Sequence, residues 1–232
     1  MIETKAVVLE DIGKRARSAS RALAKVPTHV KDRALALVAD GLVASVDRII
    51  EANERDYGAA RDSGVSEAIL DRLLLDAERI EGMARGVRGI AALPDPVGES
   101  MDMATLPNGL MVSKRRVPLG VIASIYESRP NVTVDISVLC LKSGNACLLR
   151  GGKESLESNT ALVALIHQAL PQAGLPADAV QFVDNPDRAL VAQMLQMRKY
   201  IDMLIPRGGA DLIRFVAEHA TMPAVTGGIG VC

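Results

Sequence analysis

Three short segments of the sequence combine glycines, amides and basic residues at points where a strand should end and a helix should begin. They run from Glu127 to Thr133, from Arg150 to Ser155 and from Pro206 to Ala210. Glycine lets the backbone approach a phosphate, a helix N-terminus supplies unpaired N–H donors, and arginine or lysine adds a full positive charge. We therefore expect a binding site for a nucleotide or an acyl phosphate. Neither G-x-G-x-x-G nor G-x-x-x-x-G-K-[ST] occurs here, and each glycine turn alone fits an ordinary helix entry equally well.

The elements that would bring these segments together alternate along the chain after Pro118. Short apolar runs typical of strands are separated by stretches with helical periodicity. The predicted strands are Gly120 to Tyr126, Ala146 to Leu149, Val180 to Val183 and Ile201 to Ile205, with a short run at Ala224, and the predicted helices are Val132 to Lys142, Ser155 to Gln172, Asp187 to Met197 and Asp211 to His219. This alternation predicts a doubly wound α/β fold with a parallel sheet. Ligands of such sheets bind at the carboxyl ends of the strands, where the three segments lie.

The first part of the chain has a purely helical pattern. From Ile2 to about Leu93, apolar residues recur at helical spacing, and Thr28, Ser45 and Ser66 are candidate N-caps. The pattern ends at Pro94-Asp95-Pro96, because proline and the restrained residue before it stop a helix.

A two-stranded hairpin is predicted between the helical part and the sheet. Two short runs flank Pro107-Asn108-Gly109, and an Asn-Gly pair tolerates the positive φ angles of a tight turn. The hairpin is either an ordinary surface feature or a subunit contact.

Composition excludes several classes of protein. The chain has 27 Lys and Arg against 28 Asp and Glu, and only 2% of its residues are aromatic, which argues against nucleic-acid binding. It has no uncharged run of about 18 residues, and its first residues mix acids and bases, so we expect a cytoplasmic protein without a membrane segment. The three cysteines and three histidines form no metal-binding pattern. Cys140 and Cys147 fall in apolar stretches and are predicted to be buried thiols.

Three longer runs carry a resemblance to a known family. They are Tyr126 to Thr133 (YESRPNVT), Leu141 to Glu154 (LKSGNACLLRGGKE) and Leu204 to Ala210 (LIPRGGA). These runs resemble the γ-glutamyl phosphate reductases, which are NADPH-dependent oxidoreductases of proline biosynthesis in the aldehyde dehydrogenase superfamily. The resemblance covers nearly the whole chain. It implies reduction of γ-glutamyl phosphate to glutamate γ-semialdehyde and phosphate through a cysteine thioester.

The resemblance also implies roles for residues of the three segments. The Asn131 amide would be the oxyanion-hole donor, with an N-cap of the following helix as its alternative role. Arg150 and Lys153 would meet the ribose phosphate of NADPH, with solvated loop charges as the alternative. The cofactor-binding candidates are Arg150, Gly151, Gly152, Lys153, Glu154, Arg207, Gly208 and Gly209, and the residues that would border the nicotinamide or the substrate are Glu127, Ser128 and Arg129. No metal is implied.

By the same resemblance, residues 1–99 are the helical part of the cofactor domain, residues 100–118 belong to an oligomerisation ribbon, and residues 119–232 form the NADP-binding α/β domain, ending before the catalytic domain. It further implies a homo-oligomer, association with glutamate kinase and a cytoplasmic location.

The nucleophilic cysteine of the family lies in a Gly-x-Cys-Asn-Ala stretch that this sequence does not contain. Cys232 follows a glycine-rich run that in the family leads into a histidine-containing strand, so we do not assign it as the nucleophile. Residues Ala224 to Gly228 include no carboxylate, which agrees with phosphate rather than water as the acyl partner. The alternative interpretation is a truncated, inactive NADP-binding fragment or a stand-alone nucleotide-binding module.

Overall fold

The computed structural model describes residues 2–225, with side chains from residue 9 onward. The first part of the chain is helical, as predicted. It contains five helices, which are α1 (Ile2–Leu23), α2 (Thr28–Ala44), α3 (Val46–Asp62), α4 (Glu67–Leu73) and α5 (Ala77–Ala92). Ser45 and Ser66 occupy N-cap positions, although neither side chain makes a capping hydrogen bond. The N-cap prediction for Thr28 is wrong. Pro27 holds that position and Thr28 is the first helical residue, because its hydroxyl donates to Asp95 instead.

The predicted hairpin is confirmed. Strands β1 (Ser100–Thr105) and β2 (Met111–Arg115) pair in antiparallel fashion. The turn contains Asn108, whose side chain accepts the Leu110 N–H, and Gly109, whose φ of 83° lies in the left-handed region that favours glycine. Nearly every residue of both strands is exposed.

The remaining elements form the predicted doubly wound α/β unit. They are β3 (Val121–Tyr126), α6 (Asn131–Lys142), β4 (Ala146–Arg150), α7 (Leu156–Gln172), β5 (Val180–Phe182), α8 (Ala189–Met194), β6 (Met203–Arg207) and α9 (Ala210–His219). The sheet has the order β5-β4-β3-β6 with every pair parallel. Ala224 adds an isolated parallel bridge to Leu204 of β6.

Two predicted boundaries in this unit are wrong for identifiable reasons. Helix α8 begins at Ala189 rather than Asp187, because the Asp187 carboxylate accepts the Ala189 N–H from outside the helix. Strand β6 begins at Met203 rather than Ile201, because the Asp202 side chain accepts hydrogen bonds from Val121 N and from Arg17.

One hydrophobic core joins the early helices to the sheet. Strands β3 and β4 are buried along their whole length, as central strands covered on both faces should be. Helices α6 and α7 pack on one face together with α2 and α5, and α1 packs on the other with α8. No helix within residues 2–225 has the length and apolar character needed to cross a membrane.

A buried ion pair holds the proline-containing segment that follows α5 against α2. Lys31 of α2 is 1% exposed and binds the Asp95 carboxylate, which also accepts hydrogen bonds from Thr28 and the Val97 N–H. Burial alone would raise the pKa of Asp95. The hydrogen bonds and the charge of Lys31 outweigh that effect, and the pKa of Asp95 is lowered.

Long-range ion pairs hold α1 against the sheet. Arg17 makes a two-pronged contact with Asp202, at 2.6 and 3.0 Å, at the amino end of β6. Arg15 reaches Asp178 beside β5 at 3.3 Å.

Candidate active site

The three segments meet at the carboxyl edge of the sheet, where β4, β3 and β6 lie side by side. Glu154, after β4, accepts hydrogen bonds from both the N–H and the hydroxyl of Ser128, after β3, each at 2.8 Å. Glu127, also after β3, accepts the N–H of Gly209, after β6, at 2.9 Å. The predicted cofactor and substrate segments are therefore cross-linked into one surface by two carboxylates.

Ser128 has a strained backbone. Its φ of 47° lies in the left-handed region, which is uncommon for residues other than glycine, asparagine and aspartate. Such strain costs on the order of 1 kcal/mol and is concentrated at functional sites. The paired hydrogen bonds to Glu154 hold Ser128 in this conformation.

The Glu127 carboxylate lies at the start of α9. Helix N-termini bind anions because their first N–H groups have no partner within the helix. Here Glu127 provides the anion through its bond to Gly209, and a Cβ added to Gly208 would overlap that carboxylate. A phosphate that binds at this helix start would replace the Glu127 carboxylate.

Asn131 is the first residue of α6, directly after Pro130 in the N-cap position. Its side chain caps no backbone N–H. Instead, Nδ2 donates to Oδ2 of Asp135, one turn further along the helix, at 3.0 Å. The N-cap alternative for Asn131 is therefore wrong. An amide nitrogen carries two hydrogens, so this contact leaves the second N–H of Asn131 available to a ligand.

Arg150 and Lys153 lie in different environments. Arg150 is 8% exposed and donates to the carbonyl of Pro186, so it is not a solvated loop charge. Its Nε is buried and has no hydrogen-bond partner among the described residues. Burial lowers the pKa of Arg150, and the nearby charge of Glu154 opposes that shift. Lys153 is exposed, and within the described part of the chain its side chain has no ion-pair or hydrogen-bond partner.

A buried chain of hydrogen bonds lies beneath these loops. Thr133 donates to Asn159 at 2.7 Å, so the Tyr126 hydroxyl must donate to Thr133, at 2.6 Å. Asn159 then donates to Ser155, and Ser155 to the carbonyl of Gly152. Burial raises the pKa of Tyr126, which keeps this phenol protonated as a donor. These hydrogen bonds connect β3, α6 and α7 to the loop after β4.

This network also explains one of the glycines. A Cβ on Gly151 would overlap the Asn159 amide, because the Asn159 side chain occupies the space beside the Gly151 backbone. Packing against Asn159 is by itself a sufficient reason for glycine there.

The described cysteines do not offer a nucleophile. Cys140 and Cys147 are buried, as predicted, and contact with Cys147 together with burial raises the pKa of the Cys140 thiol. Cys232 and the Gly227-Gly228 turn lie outside the described residues. Asp135 is not among the site residues predicted from the sequence, although its position four residues after Asn131 on the same predicted helix is a detectable signal.

The chain belongs to the aldehyde dehydrogenase family, whose model matches residues 3–228. Within that family it is similar to γ-glutamyl phosphate reductases, which confirms the resemblance found in the sequence. A γ-glutamyl phosphate reductase of Roseiflexus castenholzii is 56% identical over 226 residues, which cover 97% of this chain and 53% of the relative.

Solved structures of γ-glutamyl phosphate reductases have the same fold as this chain. The γ-glutamyl phosphate reductase of Thermotoga maritima superposes with a TM-score of 0.94 at 43% identity, and the match covers 96% of this chain and 54% of that one. The Saccharomyces cerevisiae reductase gives a TM-score of 0.87 at 32% identity over 96% of this chain and 56% of its own. The chain thus spans about half the length of the relatives it matches.

Proposed function

We propose that the full-length product of the gene encoding this chain is an NADPH-dependent γ-glutamyl phosphate reductase of proline biosynthesis. It converts γ-glutamyl phosphate to glutamate γ-semialdehyde and phosphate through a cysteine thioester. When bound, NADPH supplies the electrons and the hydrogen that turn the thioester into an aldehyde.

One observation carries this proposal. The Asn131 amide and the two basic glycine loops meet at one sheet edge, in a chain 56% identical to a γ-glutamyl phosphate reductase. Family membership implies a nicotinamide cofactor, and the choice of NADPH rests on the basic residues of the loop after β4.

The chain's own residues would bind and orient the reacting groups. The free N–H of Asn131 would donate to the acyl oxygen as negative charge develops there, which is worth about 3 kcal/mol in the transition state. Arg129 is exposed, and its side chain has no ion-pair partner in the described part of the chain, so it can bind an anionic group of the substrate. Ser128, held by Glu154, fixes the path of the loop between them.

The described residues fit a phosphorylated nucleotide at this edge. Lys153 and Arg207 are exposed cations, and the start of α9 already binds an anionic oxygen, that of Glu127. The buried Nε–H of Arg150 has no acceptor within residues 2–225, which costs about 1 to 3 kcal/mol unless a ligand or a water supplies one.

A direct test is the reverse reaction with the purified gene product. We expect reduction of NADP⁺ in the presence of glutamate γ-semialdehyde and inorganic phosphate. Without phosphate the rate should be at least about a hundredfold lower, because no carboxylate in Ala224 to Gly228 can act as a general base on water. The rate is followed by absorbance. Rapid oxidation without phosphate, with glutamate as product, would instead indicate a hydrolytic aldehyde dehydrogenase.

Replacing Lys153 by alanine should weaken NADPH binding selectively. A lysine–phosphate contact contributes about 1.5 to 3 kcal/mol, so Kd for NADPH should rise about tenfold or more while Kd for NADH changes little. Both constants can be measured from the fluorescence of the reduced nicotinamide. Lys25→Ala, an exposed lysine after α1, is the matched control. Equal weakening for both cofactors would remove Lys153 from the 2′-phosphate site.

We also propose the remaining features that the family resemblance implies. The exposed apolar side chains of the hairpin, such as Met103 and Met111 at 74% and 73% exposure, support a homo-oligomer with residues 100–118 as its contact. Residues 1–99 and 119–232 would form the cofactor domain. Association with glutamate kinase would deliver the reactive acyl phosphate directly, in the cytoplasm.

A second candidate function applies to the 232-residue chain alone. Both cysteines within residues 2–225 are buried, and the family resemblance does not make Cys232 the nucleophile, so this chain by itself fits an NADPH-binding fragment that does not catalyse reduction.

A further inference from the structure

Asp135 has a carboxylate to which the proposed function assigns no role. It is half-buried on α6, and the residues directly before and after it, Val134 and Ile136, are apolar. Its Oδ2 accepts the Asn131 amide, and no hydrogen bond to its Oδ1 is found within residues 2–225. Burial raises the pKa of Asp135, and the Asn131 bond and the charge of Arg207 only partly oppose this.

Asp135 also lacks a cationic partner. Within the described part of the chain no lysine, arginine or histidine lies within ion-pair distance of its carboxylate. The other half-buried or buried carboxylates near helix ends are better satisfied: Asp56 accepts three hydrogen bonds at the start of α7, and Asp95 pairs with Lys31. Withdrawing a carboxylate from water without a cation is costly, so the arrangement is suited to a positively charged ligand.

The proposed substrate carries one cation, its α-ammonium group. Four bonds of about 1.5 Å separate the γ-acyl carbon from this nitrogen, which spans about 5 Å in extended form. The Asn131 Nδ2 lies 3.0 Å from Oδ2 of Asp135, and an acyl oxygen bound to the second N–H would lie about 2.9 Å from the same nitrogen. The acyl oxygen and the Asp135 carboxylate would therefore be at most about 6 Å apart, a distance that the extended substrate spans.

Two other carboxylates at this edge bind the neighbouring loops. Glu127 accepts the Gly209 N–H, and Glu154 accepts two hydrogen bonds from Ser128. Of these three carboxylates, the one that contacts Asn131 is that of Asp135. We propose that Asp135 binds the α-ammonium group of the substrate and selects γ-glutamyl over des-amino acyl groups. This inference rests on the proposed function.

The test compares two aldehydes in the phosphate-dependent reverse reaction of the full-length protein. Glutamate γ-semialdehyde carries the ammonium group and 5-oxopentanoate lacks it. Asp135→Asn keeps an oxygen for the Asn131 amide but removes the negative charge. We expect it to lower kcat/KM at least about thirtyfold for the semialdehyde and less than about threefold for 5-oxopentanoate. Glu218→Gln, on the exposed face of α9, is the matched carboxylate-to-amide control and should change neither value.

An equal loss for both aldehydes would overturn the inference, because Asp135 would then act only by orienting Asn131. Unchanged kinetics with both would overturn it as well. A wild-type protein inactive on both aldehydes would overturn the proposed function and this inference with it. Circular dichroism and Kd for NADP⁺ verify that the variant is folded.

Discussion

Asn131→Ala in the full-length protein is expected to lower kcat by at least about a hundredfold while Tm changes little. The side chain makes one hydrogen bond, to Asp135, and caps no backbone group, so its removal disturbs little of the fold. The lost donor would otherwise stabilise charge on the acyl oxygen in the transition state, where a single donor contributes a factor of about 10² to 10³. Steady-state kinetics and thermal unfolding measured on the same preparation test this expectation.

A second substitution at this position separates shape from hydrogen bonding. Asn131→Asp keeps the size of the side chain but places a carboxylate beside Asp135 and removes the donor. It should be at least as inactive as the alanine variant. Near-normal turnover by either variant would rule out Asn131 as the oxyanion donor.

Asp95→Ala should destabilise the chain by about 3 to 5 kcal/mol. The substitution leaves Lys31, 1% exposed, without the carboxylate that balances its charge, and an unpaired buried charge carries a cost of that size. Such a loss is a large part of the roughly 5 to 15 kcal/mol that stabilises a typical domain. Urea unfolding at neutral pH, followed by circular dichroism, measures the change.

The control for Asp95 is a carboxylate in an exposed ion pair. Asp40→Ala breaks the contact with Arg88 at the surface and should cost less than about 1 kcal/mol. The two variants should also differ in pH dependence. The lowered pKa of Asp95 means that its contribution is present above the ordinary aspartate pKa and is lost as pH falls through the folded-state value. The deficit of Asp95→Ala should therefore shrink in acid, and a deficit independent of pH would contradict the ion-pair explanation.

The meeting of the three segments was predictable from the sequence. The carboxyl ends of parallel strands share one edge, so segments that follow such strands must converge once the sheet is recognised. The partners within that edge were not predictable in the same way. Glu154 contacts Ser128 from 26 residues away and Glu127 contacts Gly209 from 82 residues away. Such pairs depend on side-chain conformations that no local pattern specifies.

Errors at element ends have a similar cause. Local propensity places helix or strand residues at Asp187 and Ile201, but side-chain hydrogen bonds of Asp187 and Asp202 set the actual starts. Thr28 looks like an N-cap because its type is common there, yet its hydroxyl binds a carboxylate 67 residues away. The sequence pattern predicts a cofactor contact at Gly151, but it does not reveal that packing against Asn159 also requires glycine there.

The anchoring of α1 has a consequence for the order in which the chain folds. Its two ion pairs join residues 163 and 185 positions apart. Ribosomes add about 5 to 20 residues per second, so roughly 10 to 40 s pass between the synthesis of Arg17 and that of Asp202. During this interval the apolar face of α1, with Leu9, Ile12 and Leu23, has only part of its native surroundings. The contacts that anchor α1 are therefore complete only when Asp202, at the start of β6, has been synthesised.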